Sequence, residues 1–174
     1  MYNLHDNLTE VKVTGSPEVQ IGLLLHDQGL KLALAESCTG GLVANRITDV
    51  PGSSAYFLGG VVAYAYEAKV DLLDVSWDTL HAHGAVSRET VLEMARGARK
   101  SFRADIAASV SVIACPAGGT ADKPVGTTWI AVAAPHGEWT RLFHFSGTRE
   151  QVKASAADAA LQFLLDYLEG RLVR

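Results

Sequence analysis

The stretch Ala35-Glu36-Ser37-Cys38-Thr39-Gly40-Gly41 (AESCTGG, residues 35–41) separates two patterns. Before it stand Leu30, Leu32, Ala33 and Leu34, an apolar run of strand length. After it, apolar residues recur at helical spacing. The spacing predicts a strand over Leu30–Ala35, a sharp polar turn, and a helix over roughly Gly40–Thr48. A turn of this kind leaves the first backbone N–H groups of the helix without intrahelical partners. Such groups can hold a phosphate or an oxyanion, helped by the helix dipole. Three readings are open: Ser37 is a nucleophile beside an oxyanion site, the turn is a phosphate cradle, or Ser37 or Thr39 is only an N-cap. The stretch is neither a Walker loop, which needs Gly-Lys-Ser/Thr, nor the G-x-S-x-G elbow of hydrolases.

The flanking sequence extends the alternation of helix and strand. Ser16-Pro17-Glu18 opens a helix with a capping hydroxyl, a proline at the first position and an acid at the positive dipole end. Ile21, Leu24, Leu25 and Gln28 give its stripe, and Gly29 ends it. Pro51-Gly52-Ser53-Ser54 is a loop. Phe57–Tyr66 reads as a strand, followed by a helix from about Glu67. Ser87 caps a helix whose stripe is Val91, Ala95, Ala98 and Phe102. Ile106–Ala114 is an apolar run expected of a strand covered on both faces. Thr127–Ala134 and Trp139–Phe145 bracket Pro135-His136-Gly137-Glu138 as an antiparallel hairpin. Thr148 and Gln151 form a capping box for a last helix with the stripe Val152, Ala156, Ala159, Phe163 and Tyr167. The expected fold is a single three-layer α/β domain over residues 16–174, a mixed sheet with helices on its faces and a late hairpin, preceded by an arm at 1–15.

The chain has 174 residues, which suits one domain. Hydrophobic residues make up 48% and charged residues 20%, so it is globular rather than disordered. A net charge of −4 argues against general nucleic-acid binding, which needs a basic stripe. The basic clusters, Arg99 with Lys100 and Arg171 with Arg174, read as solvated helix surface. Cys38 and Cys115 form neither a metal-type spacing nor a disulfide framework. No apolar run approaches the ~18 residues of a membrane span, and residues 1–15 lack the pattern of a signal peptide. The expectation is a cytoplasmic protein without membrane partners.

A serine hydroxyl is a poor nucleophile until something takes its proton. Of the six histidines, His5 falls in the arm, His81 and His83 in a loop, and His136 in a turn. His26 on the first helix and His144 on a late strand read as structural, so no triad is nominated. A metal pair at His81 and His83 has no third ligand. The other route is a lysine whose pKa burial lowers, with or without a tyrosine relay. Tyr64, Tyr66 and Lys69 in AYAYEAK (residues 63–69) stand at a strand-to-helix junction, where α/β sites collect. A half-buried aromatic pair with a surface lysine is the competing reading. The loop GGTADKPVG (residues 118–126) brings Gly118, Gly119 and Lys123, either to close over a ligand's phosphate or carboxylate or as mobile surface.

In this order AESCTGG, Pro51-Gly52-Ser53-Ser54, Glu67 and Lys69 after Tyr64, His83-Gly84-Ala85-Val86-Ser87, and the loop ending Lys123-Pro124-Val125-Gly126 resemble the CinA C-terminal domain family. The resemblance runs from about Ser16 to the end. It implies a nicotinamide-nucleotide amidase, hydrolysing the carboxamide of nicotinamide mononucleotide to the acid and ammonia without metal or cofactor. It implies Ser37 as nucleophile, Tyr64 and Lys69 as the proton-transfer pair, and backbone N–H groups of Cys38, Thr39, Gly40 and Gly41 at the oxyanion. Gly118, Gly119 and Lys123 would meet the substrate, Lys123 at its phosphate. Some relatives carry a molybdopterin-binding-like domain ahead of this one. The chain departs from the family pattern at Val112 and Cys115, where glycines are usual, and at Tyr66, where asparagine is usual. Larger side chains there are expected to narrow the pocket or change its substrate, which leaves a catalytically silent or altered-specificity nucleotide-binding or assembly module of the same fold as the alternative. A homodimer is expected from the general frequency of twofold assemblies.

Overall fold

A computed structural model describes residues 15–114 and 118–172. The first helix, α1 (Pro17–Gln28), leads into β1 (Leu32–Glu36), α2 (Leu42–Thr48) and a 3-10 turn at Ser53–Ala55. Next come β2 (Phe57–Val62), α3 (Tyr66–Leu73), α4 (Trp77–His83) and α5 (Arg88–Phe102). The chain closes with β3 (Ile106–Val112), β4 (Thr127–Ala134), β5 (Gly137–His144) and α6 (Arg149–Leu168). The strands form one sheet in the order β2-β1-β3-β4-β5. β1 runs parallel to β2 and β3, whereas β3–β4 and β4–β5 are antiparallel. The expected mixed sheet with a late hairpin is therefore present. Among the described residues no helix is long and apolar enough to cross a membrane.

Side-chain size on the two faces of the sheet sets the layers. Leu32, Leu34, Ile106 and Val110 point to one face and pack with Ile21 and Leu25 of α1, Val43 and Ile47 of α2, and Val152, Ala156 and Phe163 of α6. Ala33, Ala35 and Ala107 point to the other, where Leu73, Leu80, Met94 and Ala98 cover them. Large residues on one face and alanines on the other let α5 lie close to the central strands. Both faces of β1 and β3 are consequently buried, as their unbroken apolar runs require. Where α3 ends against α5, a Cβ at Gly97 would stand 1.8 Å from the Leu73 carbonyl oxygen. Glycine at 97 thus sets how near the end of α3 comes to α5.

Several boundaries move from the sequence expectation. Residues 77–83 form α4, so His81 and His83 lie on a helix, not in a loop. A helix of seven residues with only Leu80 buried shows no apolar stripe, but Ser76 does cap it by accepting the Thr79 N–H at 3.0 Å. β2 stops at Val62 and Tyr66 opens α3, so the aromatic run was not all strand. Ser16 precedes α1 as expected but makes no side-chain cap bond. The Thr148–Gln151 capping box is present, with both reciprocal bonds made. The arm over residues 1–14, His5 and Cys115 lie outside the described residues.

Candidate functional site

β1 and β2 end side by side, with Glu36 opposite Val62, and the Ala63 N–H donates to the Glu36 carbonyl at 2.9 Å. Ser37 follows β1 directly, and its N–H donates to the Val110 carbonyl of β3 at 3.2 Å. After β2 the chain folds back into α3, which carries Lys69 beneath the two strand ends. Lys69 is fully buried, yet its ammonium is satisfied on every side. It donates to the Ala63 carbonyl at 2.7 Å, the Tyr64 carbonyl at 3.3 Å and Ser37 Oγ at 3.2 Å. Burial away from water lowers the Lys69 pKa from 10.5 to about 8, with partial opposition from its electrostatic interaction with Cys38.

This arrangement has a chemical consequence. Two carbonyl oxygens accept only N–H, so neutral Lys69 must spend its two remaining hydrogens on Ala63 and Tyr64. Its lone pair is then aimed at the Ser37 hydroxyl. The buried amine is an oriented base for that one proton.

The turn itself resolves the readings left open above. Gly40 and Gly41 hold φ of +69° and +94°, so the backbone here needs residues without a Cβ. Gly41 is the N-cap of α2 and supplies no side chain; Glu36 does that work from the strand end. Its buried carboxylate accepts the Gly41 and Val43 N–H groups at 3.0 and 3.2 Å and the Ala44 N–H at 2.8 Å. Neither Ser37 nor Thr39 caps the helix. A phosphate cradle at α2 is also excluded, because a carboxylate already occupies those donors. The Gly40 N–H closes the turn on the Ser37 carbonyl at 3.1 Å. Of the expected oxyanion donors, Gly40 and Gly41 are therefore committed. Those of Cys38 and Thr39 have no acceptor among the described residues, and the buried Thr39 Oγ1 has none either.

Tyr64 is 55% exposed. Its hydroxyl accepts from Arg149 Nη2 at 2.9 Å and lies 3.8 Å from Cys38 Sγ, so Lys69 meets Tyr64 through the backbone carbonyl. Lys123 lies elsewhere, donating to the His83 and Val86 carbonyls at 2.5 and 3.0 Å and tying its loop to the start of α5. Gly118, Tyr66, Gly84 and Lys123 line a cavity of about 340 Å³ there. The Tyr66 hydroxyl accepts the Ala85 N–H at 3.3 Å. At Gly119 a Cβ would stand 2.7 Å from the Val125 nitrogen, so the loop closes tightly on itself. Val112 is 2% exposed in the core with α6, and left-handed φ outside glycine occurs only at Asp74 and Arg103 among the described residues. The backbone at 112 therefore imposes no need for glycine. No group of three or more His, Cys, Asp or Glu among the described residues can hold a metal ion.

The model of the CinA C-terminal domain matches residues 15–168. The chain belongs to the CinA C-terminal domain family. It is 51% identical over 146 residues to the nicotinamide-nucleotide amidohydrolase PncC of Escherichia coli K12, covering 83% of this chain and 88% of that protein. It is 48% identical over 148 residues to a CinA-like protein of Desulfotalea psychrophila, covering 85% of this chain but 36% of the relative. This chain thus spans about a third of the length of such CinA-like relatives. In three dimensions it matches a CinA superfamily protein of Klebsiella pneumoniae with a TM-score of 0.85 at 35% identity, covering 88% of this chain and 96% of the other. A competence/damage-inducible protein of Agrobacterium tumefaciens matches with 0.82 at 36% identity, covering 91% and 99%.

Two groups in this CinA domain escaped the sequence reading. Glu36 stands within the quoted stretch, and a carboxylate just ahead of a helix start was a visible capping signal. Arg149 is the first residue of α6, where a cation opposes the helix dipole. A charge on the unfavourable end of a helix was the available sign that it serves another group.

Proposed function

We propose that this CinA domain is an amidohydrolase that converts nicotinamide mononucleotide to the corresponding acid and ammonia, with Ser37 as nucleophile and Lys69 as its base. The observation that carries the reading is the contact between Lys69 Nζ and Ser37 Oγ within a desolvated, carbonyl-fixed environment. The relation to a named nicotinamide-nucleotide amidohydrolase supports the substrate class.

Neutral Lys69 takes the Ser37 proton as Oγ attacks the carboxamide carbon. The carbonyl π electrons move to oxygen, which the Cys38 and Thr39 N–H groups meet. Lys69 returns the proton to the amide nitrogen, the C–N bond breaks, and ammonia leaves an acyl-serine. Water then attacks the ester carbon and gives a proton to Lys69. Collapse breaks the bond to Oγ, Lys69 reprotonates Ser37, and the carboxylic acid leaves. The Tyr64 hydroxyl, held by Arg149, faces the same turn and would hydrogen-bond the departing ammonia, while its backbone carbonyl orients Lys69. Arg149 and Lys153, one turn apart on α6 beside the turn, offer positive charge to the substrate's phosphate. Lys123 is a second candidate for that phosphate once its carbonyl contacts open.

The test is ammonia release from nicotinamide mononucleotide by wild type, Ser37→Ala and Lys69→Met. Release by the wild type and a drop of at least ~10³-fold in both variants is expected. Undiminished release by Ser37→Ala would refute the mechanism. No release by folded wild type would favour the binding-module alternative.

A further inference from the structure

At the opposite end of the sheet from Ser37, α5 and the β4–β5 hairpin border an open surface cavity of about 330 Å³. Arg96, Arg99, Lys100 and Arg103 line it with Ala133 and Glu138. Four cations thus face one carboxylate on a chain whose net charge is −4. From the level of Asp105 to that of Val110 is five strand residues, which separates this cavity from the serine by about 17 Å. Sequence alone assigned Arg99 and Lys100 to solvated helix surface; the fold turns them onto a shared hollow.

The guanidinium groups are held in place with donors to spare. Arg96 gives Nε and Nη2 to Glu138, both at 2.6 Å, which leaves Nη1. Arg99 gives Nε to the Asp105 carbonyl at 2.9 Å, which leaves its terminal fork. Lys100 is bound to Asp74 at 2.6 Å. Arg103 has no side-chain bond among the described residues, so all five of its donors are open. Its backbone is also notable: Arg103 caps α5 at φ +53°, a left-handed position that favours glycine. The chain thus has an arginine where the backbone favours glycine, and its side chain has no hydrogen-bond partner among the described residues.

We propose that this cavity is a second binding site, for a ligand carrying two or more linked phosphates. Arg96 and Arg99 fall at i and i+3 on α5 and Arg103 follows at its C-cap, a run of about 10 Å. That run is long for a single phosphate and fits a diphosphate or longer chain. Guanidinium forks match phosphate oxygens in pairs. Glu138 fixes Arg96 and keeps the cluster from opening when it is empty.

The experiment is isothermal titration of the full chain with inorganic pyrophosphate, alongside Arg103→Gly, Arg99→Ala/Arg103→Gly and Arg149→Ala. Glycine suits the left-handed backbone at 103, so that variant keeps its fold, as urea unfolding will check. Saturable wild-type binding is expected, at least fivefold weaker in Arg103→Gly and more than tenfold weaker in the double variant. Arg149→Ala should keep the binding at this cavity, whatever it loses at the substrate's phosphate near Ser37. No binding by wild type, equal affinity in Arg103→Gly, equal affinity for sulfate, or a loss of the cavity's binding in Arg149→Ala instead would each overturn the proposal.

Discussion

Replacing Lys69 with methionine separates what this residue does for chemistry from what it costs the fold. Lys69 is charged in the unfolded chain up to pH 10.5, while in the folded protein its pKa is about 8. Between those values the unfolded state binds more protons than the folded one, so stability rises with pH. Below pH 8 the full cost of burying the charge is present. It is relieved as pH climbs from 8 toward 10.5. A depression of this size corresponds to about 3 kcal/mol, of which about 2.5 kcal/mol falls between pH 7 and pH 10. Methionine has no proton to lose, but it leaves the Ala63 and Tyr64 carbonyls unpaired at about 1 kcal/mol each. At pH 7 the variant should therefore equal or slightly exceed the wild type in stability. At pH 10 it should be the less stable by about 2 kcal/mol. Urea unfolding of both proteins across this range measures the difference, in which the other titrating groups cancel. A difference that stays flat with pH would show that Lys69 is not depressed. As the proposed base, the same group sets the expected pH profile: wild-type kcat/KM should fall about tenfold per unit below pH 8. A profile level down to pH 6 would remove Lys69 as the base.

Three further substitutions test the supports of the site. Glu36→Gln puts an amide where three N–H groups expect a carboxylate, and should cost about 2–3 kcal/mol in urea unfolding; unchanged stability would contradict the capping role. Gly97→Ala forces a Cβ onto the Leu73 carbonyl, so despite better helix propensity it should destabilise by at least ~2 kcal/mol and lower kcat by shifting α3. A stabilised, fully active Gly97→Ala protein would mean that α3 is free to move. Thr148→Ala removes the capping box of α6 and should lower stability by about 0.5–2 kcal/mol, with a fall in thermal midpoint as the readout; no fall would show that the box adds nothing.

The legible parts of this sequence were those in which one residue's local chemistry agrees with the tertiary packing. Gly29 ends α1 in a left-handed cap, Ser87 accepts the Thr90 N–H at 3.2 Å, and the Thr148–Gln151 box starts α6. The apolar run of β3 gave its burial on both faces. α4 was illegible because a seven-residue helix with one buried residue has no stripe to read. The site was legible as a set of residue types, since Ser37 and Lys69 were singled out from their strand-to-helix junctions. What remained hidden was which atoms meet. Tyr64 offers Lys69 its carbonyl, and its hydroxyl goes to Arg149, 85 residues away. No local pattern encodes that encounter, because it depends on the start of α6 lying beside the segment that follows β2.

The capping of α2 leaves the Ser37 hydroxyl uncommitted to the helix. A helix start immediately after a strand normally recruits the nearest hydroxyl as its cap, and Ser37 and Thr39 both stand within reach of that duty. Here the cap is taken one residue earlier, by a carboxylate that satisfies Gly41, Val43 and Ala44 together. The positive end of α2 is neutralised and its donors are filled, so the helix has no further claim on either hydroxyl. Ser37 Oγ is left facing Lys69, and Thr39 Oγ1 is left buried without a partner. A buried, unpaired hydroxyl costs stability unless something completes it. Together with the open Cys38 and Thr39 N–H groups, it marks the side of the turn on which a polar substrate atom would repay that cost.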